Sequence, residues 1–164
     1  MSGLKIKAAG LALLLVMSGT IAGFGCSKGP IASLPFIPTA YYASIEVGQD
    51  ELLGAYFEPD WGNVDSAGKA YNNLAFVFKD VRVSQYMLTD SANGVFNLGQ
   101  IRCKELLGGA VASLKPGDVI DVVGTDRGVL SGTQDWLSFT ECIFLPANSA
   151  NIPAPGSPKF VPSY

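Results

Sequence analysis

Reactive side chains are scarce in this chain. It carries three cysteines, Cys26, Cys103 and Cys142, and no histidine at all. Without an imidazole there is no Ser/His/Asp or Cys/His pairing, no His-ligated zinc and no ordinary proton shuttle at neutral pH. A thiol with no neighbouring base to ionise it is a poor nucleophile, so none of the three cysteines reads as catalytic. Asp118, Asp121, Asp126 and Asp135 crowd carboxylates into one stretch. Their spacing does not fit the Asp-x-Asp-x-Asp-Gly calcium loop, and solvated turn residues account for them better. Gly124-Thr125-Asp126-Arg127-Gly128 has the glycines of a phosphate loop but lacks the Gly-Lys-Ser/Thr that binds phosphate and magnesium. The expectation is therefore a non-enzyme with no catalytic residues, no metal site and no cofactor.

The composition limits what can position these residues. At 164 residues the chain has the length of one domain with appendages. Hydrophobic residues make up 48% and charged residues only 15%, with 19 glycines and 10 prolines. That mixture excludes global disorder, a coiled coil and an all-helical bundle, and it predicts a β-rich domain with many turns.

Residues 1–26 read as an address. Lys5 and Lys7 precede an apolar run from Ala8 to Met17, and small and polar residues from Ser18 to Gly25 follow, which is the order of a secretory signal. The whole stretch from Ala8 to Phe24 is 17 residues, the lower limit for crossing a bilayer, so export signal comes first and permanent membrane anchor second. Cys26-Ser27-Lys28-Gly29-Pro30 resembles the start of a mature bacterial lipoprotein, which implies lipid on the sulfur of Cys26. Cleavage after Ala22 or Gly25, or no cleavage, are the alternatives. Removing Lys5 and Lys7 leaves nine cations against fourteen anions, a net charge of −5. An acidic exported domain is a poor binder of phosphate backbones and anionic lipids. The expected location is the cell envelope, exported and membrane-attached.

Residues 27–43 contain Pro30, Pro35 and Pro38 among small residues and read as a flexible linker. Residues 146–164 hold Pro153, Pro155, Pro158 and Pro162 and read as a disordered or surface-draped tail, although Phe160, Val161 and Tyr164 leave docking open. The domain is 44–145. Gln49–Phe57 is a helix candidate, with Leu52/Tyr56 and Leu53/Phe57 four apart and Pro59 to stop it. A second helical turn is expected around Ala67–Tyr71, with Trp61 as a packing plug. Leu74–Met87 is the strongest strand. Its apolar phase changes from Leu74, Phe76 and Phe78 to Val81 and Val83, which predicts a β-bulge near Lys79-Asp80. Further strands are predicted at Val95–Leu98 and Gln100–Lys104, joined at Gly99, with a short helix at Ala110–Leu114. Val119–Gly124 and Trp136–Leu145 follow, separated by a Gly-rich loop from Thr125 to Asp135. In the last strand Trp136, Ser138, Thr140, Cys142 and Phe144 fall on one face and Leu137, Phe139, Ile143 and Leu145 on the other.

Five strands with a short helix between the third and fourth are the order of the five-stranded Greek-key OB-fold barrel. The residues resemble the tRNA_anti-like family of exported bacterial OB-fold domains across about Gln49 to Leu145. The resemblance is carried by Glu51-Leu52-Leu53-Gly54-Ala55-Tyr56, Tyr71, Phe76 to Val83 and Ile101-Arg102-Cys103. It continues through Leu114-Lys115-Pro116-Gly117-Asp118-Val119-Ile120-Asp121 and Leu137-Ser138-Phe139-Thr140-Glu141-Cys142. It implies a mainly β, closed barrel with a short N-terminal helix, and it implies no activity, since fold alone licenses none.

In such a barrel strand five closes against strand three. The resemblance and the export signal together imply a Cys103–Cys142 disulfide, with two buried thiols as the alternative. The bridge would close a loop of about 40 residues, worth about 4 kcal/mol in a chain-entropy account. OB barrels also bind on the face of strands two and three, and here Arg82, Tyr86, Phe96, Arg102 and Lys104 form the candidate ligand face. The function expected is a membrane-tethered OB-fold binding or assembly module of the bacterial envelope, with a protein or small-molecule partner. The alternatives are a structural subunit that retains its apolar N-terminal segment, and a single-stranded nucleic-acid-binding OB domain.

Overall fold

The computed structural model describes residues 39–149 and 152–162. The expected leader, Cys26 and most of the expected linker lie outside the described residues. Among those described, no helix is long and apolar enough to cross a membrane. Residues Thr39–Ala43 form a 3₁₀ turn that leads into β1, Ile45–Glu46. Helix α1, Gln49–Phe57, follows as the spacing predicted, with Asp50 and Glu51 in its first turn. It turns Leu52, Ala55 and Tyr56 into the core. Helix α2, Val64–Tyr71, is a full helix rather than the single turn expected. The missed signal is Asn63, whose side chain accepts from Ser66 N at 2.8 Å and caps the first turn.

Strand β2 is Ala75–Arg82, with a register shift between Phe78 and Val81 and Asp80 in the left-handed region at φ 53°. The predicted bulge is present, but the strand is shorter than Leu74–Met87. After Val83, residues Tyr86–Leu88 and Ser91–Asn93 form 3₁₀ turns. Strands β3, Val95–Leu98, and β4, Ile101–Glu105, pair as a hairpin through Gly99 at φ 57°. Helix α3, Ala110–Ser113, precedes β5, Val119–Leu130, and β6, Trp136–Pro146, completes the sheet. Strand β5 runs twelve residues where six and then a loop were predicted. Thr125–Leu130 keep pairing with β6 because two register shifts absorb the local irregularity around Gly128.

The six strands form one mainly β sheet in the order β1-β2-β5-β6-β4-β3, with β1–β2 and β4–β6 parallel and the remaining pairs antiparallel. The sheet is unclosed, contrary to the predicted five-stranded closed barrel. Closure would require the far half of β2 to pair with β3. That half is only Val81 and Arg82, which pair with Ile120 and Val119 of β5, and the chain then turns away. Strands β1 and β3 are therefore the sheet's edges.

Both faces of the sheet are covered. The larger cluster lies under the helices and includes Leu52, Tyr56, Tyr71, Phe76, Phe96, Ile101, Leu137, Phe139 and Phe144. The smaller one joins Val77, Val123, Ile143 and Leu145 to Tyr41 and Ile152, which come from the two flanking segments. Tyr41, at the end of the expected linker, is 2% exposed. Residues 152–162 of the expected tail lie against the domain. Phe160 lies 5.3 Å from the Tyr71 ring and 6.3 Å from that of Phe76, and Tyr71 Oη donates to Val161 O at 2.6 Å. Aromatic area in this segment found a gap to fill.

Candidate functional site

The candidate ligand face is built on β4, where Arg102 and Lys104 alternate outward while Ile101 and Cys103 point into the core. The loop between β2 and β3 folds over these two cations. Arg102 Nη2 meets Asp90 Oδ2 at 2.6 Å, and Lys104 Nζ donates to Asn93 O. On the neighbouring strand Asn97 Nδ2 donates to Thr89 Oγ1 at 3.2 Å. The hydrogen bond from Asn93, and behind it that from Arg102, holds the Asp90 carboxyl below the usual carboxylate range. Both cations are thus engaged by their own loop. Phe96 is not on this face, as the expectation had it. It is fully buried on β3 with its ring 5.3 Å from that of Phe144. Arg82 is exposed at the end of β2, and Tyr86 is 57% exposed in the following turn. Among the described residues, the structure brings Arg102 and Lys104 together on β4 and buries Phe96 away from them.

The two strand cysteines meet in the core. Register alone would send Cys142 to the face opposite Phe139, as the alternation predicted. Instead Glu141 adopts φ 57° and the β4–β6 register shifts between Cys103 and Glu105, so Cys142 and Phe144 join Leu137 and Phe139 on the side of Cys103. Gly124 of β5 makes the space: a Cβ there would stand 2.6 Å from Cys142 Sγ and 3.2 Å from the Phe139 ring. Both sulfurs are buried and free, so the expected bridge is not formed in this structure. Burial, and secondly the hydrogen bond with Cys103, pushes the Cys142 thiol well above its ordinary value. A thiol in that state is inert as a nucleophile.

Two of the four aspartates read as solvated turn residues are in fact fully buried on β5, Asp121 and Asp126. Asp121 accepts from Lys79 Nζ at 2.7 Å, from Asp80 N at 3.0 Å and from Ser149 N at 3.1 Å. Lys79 Nζ also donates to Ile152 O at 2.8 Å. This knot ties the β2 bulge to the start of the tail. Asp126 accepts from Tyr56 Oη at 2.6 Å and from Gly128 N at 2.7 Å, which pins α1 to β5. Burial raises its carboxyl above the ordinary value in spite of those bonds, and burial followed by the Asp126 contact raises the Tyr56 phenol. Tyr41, whose hydroxyl donates to Glu141 O, is pushed up to about 12, chiefly by burial. The sequence signal for Asp121 was its place inside the run Val119-Ile120-Asp121-Val122-Val123, which a turn would not have, whereas Asp126, between Thr125 and Arg127 in a glycine-flanked stretch, carried none. Asp118 does behave as a turn residue, accepting from Lys115 N at 2.8 Å.

Among the described residues no cluster of three or more Cys, Asp or Glu side chains is arranged to hold a metal. Open clefts adjoin the described residues. One of ≈ 550 Å³ is bounded by Glu46, Glu51 and residues 153–160, and one of ≈ 530 Å³ lies between α2 and Gly128, lined by Asp65, Lys69, Asn72 and Asn73. Neither contains a buried, unsatisfied polar group directed into it; among the described residues the orphaned buried side-chain polar atom is Ser44 Oγ. Compared with family models, curated proteins and solved structures, the chain matches none.

Proposed function

We propose that this chain is an exported, membrane-tethered module of the bacterial cell envelope that works by binding or assembly rather than by catalysis. The reading joins a leader of the secretory type ending at Cys26 to a domain whose buried ionisable groups are structurally committed. The observation that carries it is that commitment. Asp121, Asp126 and Lys79 hold elements together, and the Cys142 thiol is driven away from its reactive form. The fold reading within the proposal is an opened OB-type barrel related to the tRNA_anti-like domains. Its support is the antiparallel β2–β5–β6 run, the parallel β4–β6 pair and α3 between β4 and β5. A protein or small-molecule partner suits the acidic domain. The nucleic-acid alternative is disfavoured because Arg102 and Lys104 are engaged by Asp90 and Asn93.

The test is intact mass and fractionation of the expressed full chain. The expected species begins at Cys26 with an acyl increment and sediments with membranes, and Cys26→Ala releases the protein or stalls its processing. A membrane species with residues 1–25 still attached would favour the structural-subunit alternative. A full-length product in the cytosol would overturn the proposal.

A further inference from the structure

Asn93-Gly94 is the chain's one Asn-Gly pair. Such a pair is chemically reactive, because glycine has no side chain to shield its amide nitrogen from the side-chain carbonyl carbon of the residue before it. The pair lies where the β2–β3 loop enters β3. Asn93 is exposed at the end of the 3₁₀ turn Ser91–Asn93, and Gly94 follows at φ 67°. Both reacting groups are engaged. Asn93 Nδ2 donates to Asp90 Oδ1 at 2.6 Å, and Gly94 N donates to Ser91 O at 3.0 Å. The surroundings are fixed as well: Lys104 Nζ donates to Asn93 O, Glu105 N donates to Gly94 O at 2.9 Å, and Arg102 holds the other oxygen of Asp90 at 2.6 Å.

We propose that Asn93 is a self-modification site, converted in water to aspartate or isoaspartate, and that Asp90 sets the rate of conversion by fixing the side-chain amide. Gly94 N gives up its proton to solvent and attacks Asn93 Cγ. The new C–N bond closes a succinimide, the Cγ–Nδ2 bond breaks, and Nδ2 leaves as ammonia after taking a proton from solvent. Water then opens the ring at either carbonyl, so the net change is an amide and water giving a carboxylic acid and ammonia. Ring closure needs nitrogen and carbon brought together in one alignment. The bond to Ser91 O must break before Gly94 N can attack, and the bond to Asp90 must break before the side chain can turn toward it. The product sets a second carboxylate against Asp90 where a donor had been, which removes the hydrogen bond that chiefly lowers the Asp90 carboxyl. The chemistry does not depend on where the protein resides or on how Cys26 is processed.

Peptide mapping by mass spectrometry of the full chain, incubated at mildly alkaline pH and sampled over time, tests it. Conversion is read as the amide-to-acid mass increase at Asn93 and as isoaspartate detected enzymatically. The folded parent should convert several-fold more slowly than the same chain in guanidinium chloride. Asp90→Ala, still folded, should convert several-fold faster than the parent, and Asp90→Asn, which keeps an acceptor for Asn93 Nδ2, should stay near the parent rate. Asn93→Gln should abolish the signal, since the longer side chain closes a less favourable ring. Equal rates in the parent and a folded Asp90→Ala overturn the control by Asp90. If Asp90→Ala loses cooperative thermal unfolding, the comparison of Asp90→Asn with the parent takes its place, and a several-fold rise there overturns it. Absence of conversion at Asn93 in guanidinium chloride overturns the site itself.

Discussion

At the scale of single residues, two ion pairs of this domain, Lys79–Asp121 and Arg102–Asp90, are expected to differ widely in value. Lys79 and Asp121 have side chains 21% and 0% exposed, whereas Arg102 and Asp90 are 47% and 27% exposed. Lys79→Met should cost about 3 kcal/mol or more, because it strands a buried carboxylate. Arg102→Met should cost less than about 1 kcal/mol. Urea midpoints of the two variants would reveal the contrast, and equal losses would contradict it. Asp126 gives a pH signature. Its carboxyl is raised in the folded state, so the unfolded chain loses its proton first, and the carboxyl's contribution to stability falls as pH rises from about 4 toward the folded value. Asp126→Asn lacks that titration. Its stability relative to the parent should therefore improve as pH rises from about 4 to 7, and a difference independent of pH would refute the assignment.

At the scale of elements, the bulges decide which residues face the core. Asp80 holds a positive φ with an exposed side chain, and its amide still bonds Asp121 whatever that side chain is. Asp80→Gly should therefore be neutral or stabilising by up to about 1 kcal/mol, while Asp80→Val should destabilise by at least as much. In β6 the bulge at Glu141 gathers Cys142 and Cys103 over Gly124, where Gly124→Ala has no space and should cost about 1–3 kcal/mol. Thermal unfolding of the three variants orders these effects. The β2 bulge was legible because its apolar residues change from even to odd positions within one strand. The β6 bulge was not, because both faces of that strand carry apolar residues and alternation could not choose between them.

At the scale of the whole molecule, the sulfur pair bears on stability under oxidising conditions. If the chain is exported as proposed, Cys103 and Cys142 should be recovered as a disulfide, with reduction lowering stability by as much as about 4 kcal/mol. Thiol titration in denaturant would show two fewer free thiols before reduction than after. The lack of histidine, the helix over 49–57, the turn at Gly99 and the first bulge were all readable in the chain itself. Each is a matter of residue type or of periodicity within a few neighbours. Tertiary structure alone decided that the sheet stays open, that β5 continues through Gly128, that Asp121 and Asp126 are buried, and that a proline-rich tail is docked. These outcomes depend on partners distant in sequence, such as Lys79 for Asp121, Tyr56 for Asp126 and Tyr71 for Phe160, and no local pattern encodes who will be opposite whom.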